Sequence, residues 1–327
     1  MINQPENLNV RMQPKLWLQL WHNHAPLALF SLVMLAFTLF FAVGVVADSR
    51  TITGQPAWLK PTKFGLSITI YTLTITWMLG FIRTERLWLQ RVLRVATWAI
   101  LLTLFLEIVV IAMQAARGIP SHFNVSTALN TLLWSLMATA IFVLWIANFL
   151  LAAVLLFQPF DNPTLAWGIR SGLLIAIVGM GLGYLMTMPT AQQLANWQDG
   201  GAINIVGAHS VGAPDGGSGL PFLGWRTDVG DLRVGHFVGM HALQLLPFLA
   251  WWISRRRRWS LWQQKAMVAT LAVSYLALTL LVTWQALRAQ ALFAPDGLTL
   301  AVLAAIIGGA VTALLYLAHP NRVRSMR

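Results

Sequence analysis

The stretch GDLRVGHFVGMHALQ, residues 230–244, gathers His236, Met240, His241 and Gln244 where a polar loop turns into an apolar helix. Neutral imidazole is the commonest protein ligand for zinc, copper and iron. Thioethers favour Cu(I) or an axial haem position. Residues five apart lie about 140° apart around a helix, so if both are helical His236 and His241 do not face one ligand as an i, i+4 pair would; either residue 236 lies before the first turn or the two serve different partners. His236, Met240 and Gln244 do share a face. HFVGMH is therefore no zincin-type motif.

Polar stripes in the neighbouring apolar segments extend this chemistry. Lys60, Lys63, Ser67, Tyr71 and Thr74 follow the i, i+3/i+4 rhythm of one helical face. Glu107 stands about two-thirds of the way along the next apolar run, with Gln114 two turns further on. The stretch SHFNVSTALNTLLWS puts Asn124, Thr127, Thr131 and Ser135 on one stripe, beside His122 and Asn130. An ionisable side chain at membrane depth costs several kcal/mol and faces a bundle interior with a partner. Glu107 is the deepest, and Lys63 is its expected partner. Thr69, Thr72, Thr76 and Thr139 read as hydroxyls bonded to backbone carbonyls.

The elements that must hold these groups are transmembrane helices. The 327 residues are 57% hydrophobic and only 10% charged, with a mean hydropathy of +0.67, whereas a soluble domain carries about 25% charged residues. Apolar runs at 25–47, 63–82, 95–116, 127–156, 170–188, 236–254, 264–286 and 298–318 are each long enough for a hydrocarbon core of about 30 Å. The fold class is all-α, a polytopic bundle of about eight spans. The expected divisions are a cytoplasmic segment 1–24, spans one to five over 25–188, an extracytoplasmic capping loop 189–235, spans six to eight over 236–318, and a basic tail 319–327.

The net charge of +12 does not point to nucleic acid, because the basic residues sit in short loops. Arg11, Lys15, Arg83, Arg86, Arg91, Arg94, Arg170, Arg255–Arg258, Lys265, Arg322, Arg324 and Arg327 fall on one side, fifteen of the 22 lysines and arginines. The positive-inside rule puts that side and both termini in the cytoplasm. Absence of cysteine excludes disulfides and thiolate sites. The first 23 residues carry no small-residue cleavage pattern, so no cleaved signal is expected. His22, His24 and His319 fall at the cytoplasmic interface as ordinary polar anchors.

His122, His209, His236 and His241 all fall on the outer side. The 189–235 loop is too long to be structureless in a compact protein, and Trp197, Phe222 and Trp225 are expected to pack it down as a cap. Its run GAPDGGSG lacks the Lys-Ser/Thr of a phosphate loop and reads as tight turns. Gly179 and Gly183, and Gly308 and Gly309, read as close helix packing.

The stretches PAWLKPTKFGLSITIYTLT, SHFNVSTALN, MTMPTAQQ, IVGAHSVGAPDGGSGLPFLGW and GDLRVGHFVGMHALQ resemble a family of bacterial multi-pass membrane proteins. The resemblance covers most of residues 25–250 and supplies no activity.

These residues describe an inner-membrane protein with a His-rich polar pocket on the extracytoplasmic side. The leading expectation is metal or haem binding with redox activity: His122, His209, His236 and His241 as metal ligands, Tyr71, Asn124, Met240 and Gln244 around the cofactor, and Glu107, Lys63 and Asp231 as acid–base groups. Haem b or copper is favoured, with zinc the alternative. A metal-dependent hydrolase or lipid-modifying enzyme at the outer leaflet is the second reading, a transporter the third, and a subunit of a larger membrane complex the fourth. Quinone or lipid is the expected substrate class. The cytoplasmic half of nearly every span is pure apolar, which argues against a through-path.

Overall fold

A computed structural model describes residues 16–319. Arg11, Lys15, Arg322, Arg324 and Arg327, counted in the charge asymmetry, lie outside the described residues. The architecture is helical: α1 (Leu16–Ala47), α2 (Leu59–Leu79), α3 (Leu87–Arg117), α4 (Ala128–Phe157), α5 (Pro163–Leu182), a short α6 (Ala191–Gln198), α7 (Leu232–Ser254), α8 (Leu261–Leu287) and α9 (Gly297–Ala318). Strands are vestigial. β1 (Thr51–Ile52) pairs with β2 (Gln55–Pro56), and β3 (Ser210–Val211) pairs antiparallel with β4 (Gly230–Asp231).

Among the described residues seven helices are long and apolar enough to cross a membrane: α1, α3, α4, α5 with its continuation to Gln198, α7, α8 and α9. The 21 residues of α2 fall short because Lys60, Lys63 and five threonines dilute its apolar content. Those hydroxyls do bond backward along the helix. Thr69, Thr72 and Thr76 donate to the carbonyls of Gly65, Ile68 and Thr72 at 2.8, 2.7 and 2.6 Å, and Thr139 of α4 donates to Ser135 at 2.9 Å.

Local signals set several helix ends outside the apolar runs. Asn162 caps α5 ahead of Pro163, and Ser260 with Gln263 forms a capping box on α8. Inside α1 the backbone breaks at His24 (φ −164°, ψ 88°), two residues before Pro26. The apolar run from residue 25 is thus the second piece of a kinked helix, whose first amides include Leu27 N–H donating to His24 Nδ1 at 3.2 Å.

Packing is tightest where side chains are smallest. A Cβ added to Gly179 would stand 2.5 Å from the backbone of Gly239 and Met240, and one on Gly168 would stand 2.3 Å from Ala250 Cβ. This lets α5 and α7 approach backbone to backbone. Gly183 meets the His236 ring at 3.0 Å by the same measure. Gly308 and Gly309 overturn the expectation of close packing, since a Cβ at either meets nothing within 4 Å. On α9 only Thr299 and Leu317 are buried. The main core joins Leu27, Met34, Ile75, Ile100, Leu151 and Ile169 from α1 to α5.

The segment between α5 and α7 is held by backbone bonds. Val206 N–H donates to Phe123 O and Val125 N–H to Asn204 O, both at 2.8 Å, tying it to the α3–α4 connection. Buried Arg226 forms its second anchor, reaching Asp228 and the carbonyls of Pro214 and Gly216. Trp225 stacks on Phe237 of α7. Trp197 and Phe222 were expected to pack this segment down, yet they are 62% and 49% exposed. Main-chain pairing and one guanidinium hold what aromatic burial does not.

Candidate functional site

A cavity of about 1980 Å³ lies among α2, α3, α4, α7, the end of α5 and the 205–226 segment. Small-molecule pockets are typically about 300–1,000 Å³, so there is room here for a long apolar chain as well as a head group. Its wall carries polar groups, among them Lys60, Lys63, Glu107, His122, His209 and His236, and apolar ones such as Leu66, Ile70, Ile141, Leu144, Trp145 and Met180.

Glu107, 1% exposed, belongs to this wall. His122 Nε2 lies 3.3 Å from its Oε1, without hydrogen-bond alignment, and neither carboxyl oxygen has a hydrogen-bond partner. Lys63, the expected partner, turns away. Its Nζ donates to Leu223 O at 3.0 Å, 160 residues along the chain. Lys60 Nζ stands 5.8 Å over the Phe64 ring, and Lys60 is the cation whose field reaches Glu107.

His122 is presented by a strained turn. Phe123 adopts φ +65°, a left-handed conformation that costs a β-carbon residue about 1–2 kcal/mol. Its ring contacts those of His122, Trp134 and His209 at centroid distances of 6.0, 5.1 and 4.9 Å. Burial, then the positive fields of Lys60 and His209, hold the His122 imidazole well below its ordinary pKa, so it is neutral at pH 7. Its Nδ1 contacts Ser121 Oγ at 3.1 Å.

His209 is clamped by Asp215, which meets Nδ1 at 2.8 Å and accepts the backbone amides of His209 and Ser210 at 3.0 and 2.9 Å. Burial lowers the His209 pKa against the pull of Asp215. Burial of Asp215 works in the other direction, but the His209 imidazole and those amides hold its carboxyl below the usual range. On α7, His236 Nδ1 donates to Gly179 O at 2.8 Å. His241 is exposed at the cavity wall, its Nδ1 3.3 Å from Gln244 Oε1, and Gln244 reaches Thr74 Oγ1 of α2 at 3.3 Å.

The cavity therefore gathers Glu107, Lys63, Tyr71, Met240, Gln244, His122, His209, His236 and His241. It leaves out Asn124 and Asp231. Asn124 is buried and used locally, accepting from Ser126 N–H and Oγ–H at 3.1 and 2.7 Å. Asp231 caps α7, pairs with Arg233 and accepts the Arg226 amide at 2.8 Å, so its carboxylate is committed to the fold. Tyr71 donates to Asn148 Oδ1 at 2.6 Å, joining α2 to α4.

The four histidines line one cavity but do not converge on a point. Among the described residues, no group of three or more His, Asp or Glu side chains is placed to hold a metal ion. Carboxylate, carbonyl or carboxamide oxygens already engage one nitrogen of His209, His236 and His241, and those partners come from different elements.

No family model, curated protein or solved structure matches this chain. Its seven long apolar helices mark it as an integral membrane protein.

Two wall groups carried no signal in the sequence. The Tyr184 hydroxyl, in the 3₁₀ turn after α5, and the Ser210 hydroxyl on β3 are both buried without partners, and both residues line the cavity. Tyr184 closes an otherwise apolar helix and Ser210 sits in a loop of turn residues, so neither stands out by pattern.

Proposed function

We propose that this is an eight-span bacterial inner-membrane protein that binds an amphiphile in its outer-leaflet cavity and handles protons at the amphiphile's head group. The carrying observation is where the unpartnered polar atoms lie. Of the six buried side-chain N and O atoms without a partner among the described residues, four belong to Glu107, Tyr184 and Ser210 on the cavity wall. Unpaired buried polar groups are rare and costly, so a cluster of them around one cavity points to a ligand that completes them. The apolar lining suits an acyl or isoprenoid tail, with the Tyr184 hydroxyl set among it beside Trp145. The polar lining suits a head that donates to Glu107 and accepts from Ser210, with neutral His122 as proton acceptor. A lipid with a hydroxylated head group and a quinol share this chemistry.

Orientation follows from charge. With α2 as the eighth span, the end of the bundle carrying Arg255–Arg258 faces the cytoplasm and the cavity faces outward. The α2 stripe serves the cavity: Lys60, Lys63, Ser67 and Tyr71 all line it.

The test is solvent extraction of the detergent-purified protein, with mass spectrometry for lipids and a redox difference spectrum for quinones. Near-stoichiometric recovery of one amphiphile, lost in Glu107→Leu, is expected; the mass identifies a lipid and the difference spectrum a quinone. Equal recovery from both proteins would overturn the proposal.

A further inference from the structure

At the far end of α7 from the cavity the chain reads WWISRRRRWS, residues 251–260. A run of arginines after an apolar helix needs no structure to act as a topology signal. Here it has one. Arg255 stacks over Trp251 with its guanidinium carbon 4.5 Å from the ring centroid, Arg256 over Trp252 at 4.4 Å, and Arg258 over Trp259 at 4.5 Å. The turn beneath is fixed by Arg256 N–H to Ile253 O at 3.0 Å, Trp259 N–H to Arg256 O at 3.2 Å, and the capping box at Ser260.

The stacked guanidiniums are otherwise unspent. Among the described residues, Arg255–Arg258 make no side-chain hydrogen bond and no ion pair, and all four are exposed. Elsewhere exposed arginines do find carboxylates, as Arg50 does with Asp48 and Arg83 with Asp161. Trp251 and Trp252 are 39% and 42% exposed on the helix face. Indoles at that level sit at the depth of lipid head groups. A guanidinium lying flat on an indole keeps its in-plane N–H donors free, and those donors match a phosphate two at a time.

We infer that the α7–α8 turn is a binding site for acidic phospholipid head groups, with Arg255, Arg256 and Arg258 as phosphate donors and Trp251, Trp252 and Trp259 as the platforms that hold them flat. Charge complementarity selects the occupant. The surface is cationic without counter-charge and lies against an apolar span, where the anion at hand is a lipid phosphate. Each basic residue near an anionic leaflet contributes to that attraction. Stacking adds geometry that charge alone lacks.

Native mass spectrometry of the full-length protein, titrated with phosphatidylglycerol and phosphatidylcholine of equal chain length, tests this. The wild type is expected to bind phosphatidylglycerol in preference. In R255K/R256K/R258K the charge and the topology signal remain while the planar two-pronged donor fork goes. Phosphatidylglycerol affinity is then expected to fall about tenfold, as bidentate guanidiniums give way to single-point ammonium groups. W251L/W252L, which keeps every arginine, is expected to weaken the same binding. The chain has no cysteine, so a single introduced cysteine reports that both variants keep their orientation. No preference between the two lipids in the wild type would overturn the inference, as would unchanged affinity in the correctly oriented lysine variant.

Discussion

His122 Nε2 lies 3.3 Å from Glu107 Oε1, yet the carboxyl has no hydrogen bond from any side chain or amide. A loop and a helix bring a neutral imidazole and a deep carboxyl together and leave both oxygens buried without a hydrogen-bond partner. Folding alone does not reward that arrangement, because a buried polar group without a partner costs about 1–3 kcal/mol.

Glu107→Leu is therefore expected to raise the stability of ligand-free protein by about 1 kcal/mol or more while abolishing amphiphile retention. Thermal melting in detergent, before and after delipidation, reads both effects. A fall in the delipidated melting temperature would show that Glu107 supports the fold instead.

Acidification is expected to weaken the loops around His122 and His209. Burial lowers the pKa of His122, and of His209 despite its carboxylate. A lowered folded pKa leaves stability complete above the unfolded value, about 6.5 for histidine, and removes it as pH falls below that. Asp215, held low by His209 and two amides, adds a second loss that begins below the unfolded carboxylate value of about 4. Melting temperature should decline from pH 7 to pH 5, and less steeply in His122→Asn. Parallel curves for the two proteins would rule His122 out as a cause.

The α5–α7 contact admits no methyl group. Gly179→Ala must push Gly239 and Met240 away from 2.5 Å, at a cost of about 1–3 kcal/mol. The displacement also carries off the carbonyl that orients His236. Gly308→Ala on α9 meets nothing within 4 Å and should leave melting unchanged or slightly raised. Comparable melting of the two variants would contradict the packing described above.

Lys63 ties α2 to the 205–226 segment through Leu223 O. Losing one charge-assisted hydrogen bond of about 1 kcal/mol should speed amide exchange around residues 218–226 about five-fold in Lys63→Met. Hydrogen–deuterium exchange measures this directly, and unchanged rates would mean that Arg226, and Arg233 through Gly224 O at 2.6 Å, hold the segment without Lys63.

Helix existence was legible in the sequence because it is a local property. Runs of apolar residues, Asn162 before Pro163 and the Ser260–Gln263 box act within a few residues of each other. The α2 stripe was legible for the same reason, since helical periodicity alone puts Lys60, Lys63, Ser67 and Tyr71 on one face, and that face lines the cavity. Pairing was not legible. Lys63 and Glu107 look complementary in charge and depth, but Leu223 takes the ammonium and His122 takes the place beside the carboxyl. Asp231 and Asn124 carry the right chemistry for a site, yet local backbone amides claim them first. Which polar groups are satisfied by their own chain and which are left for a ligand depends on contacts between residues 15 to 160 apart, and only the packed bundle decides those.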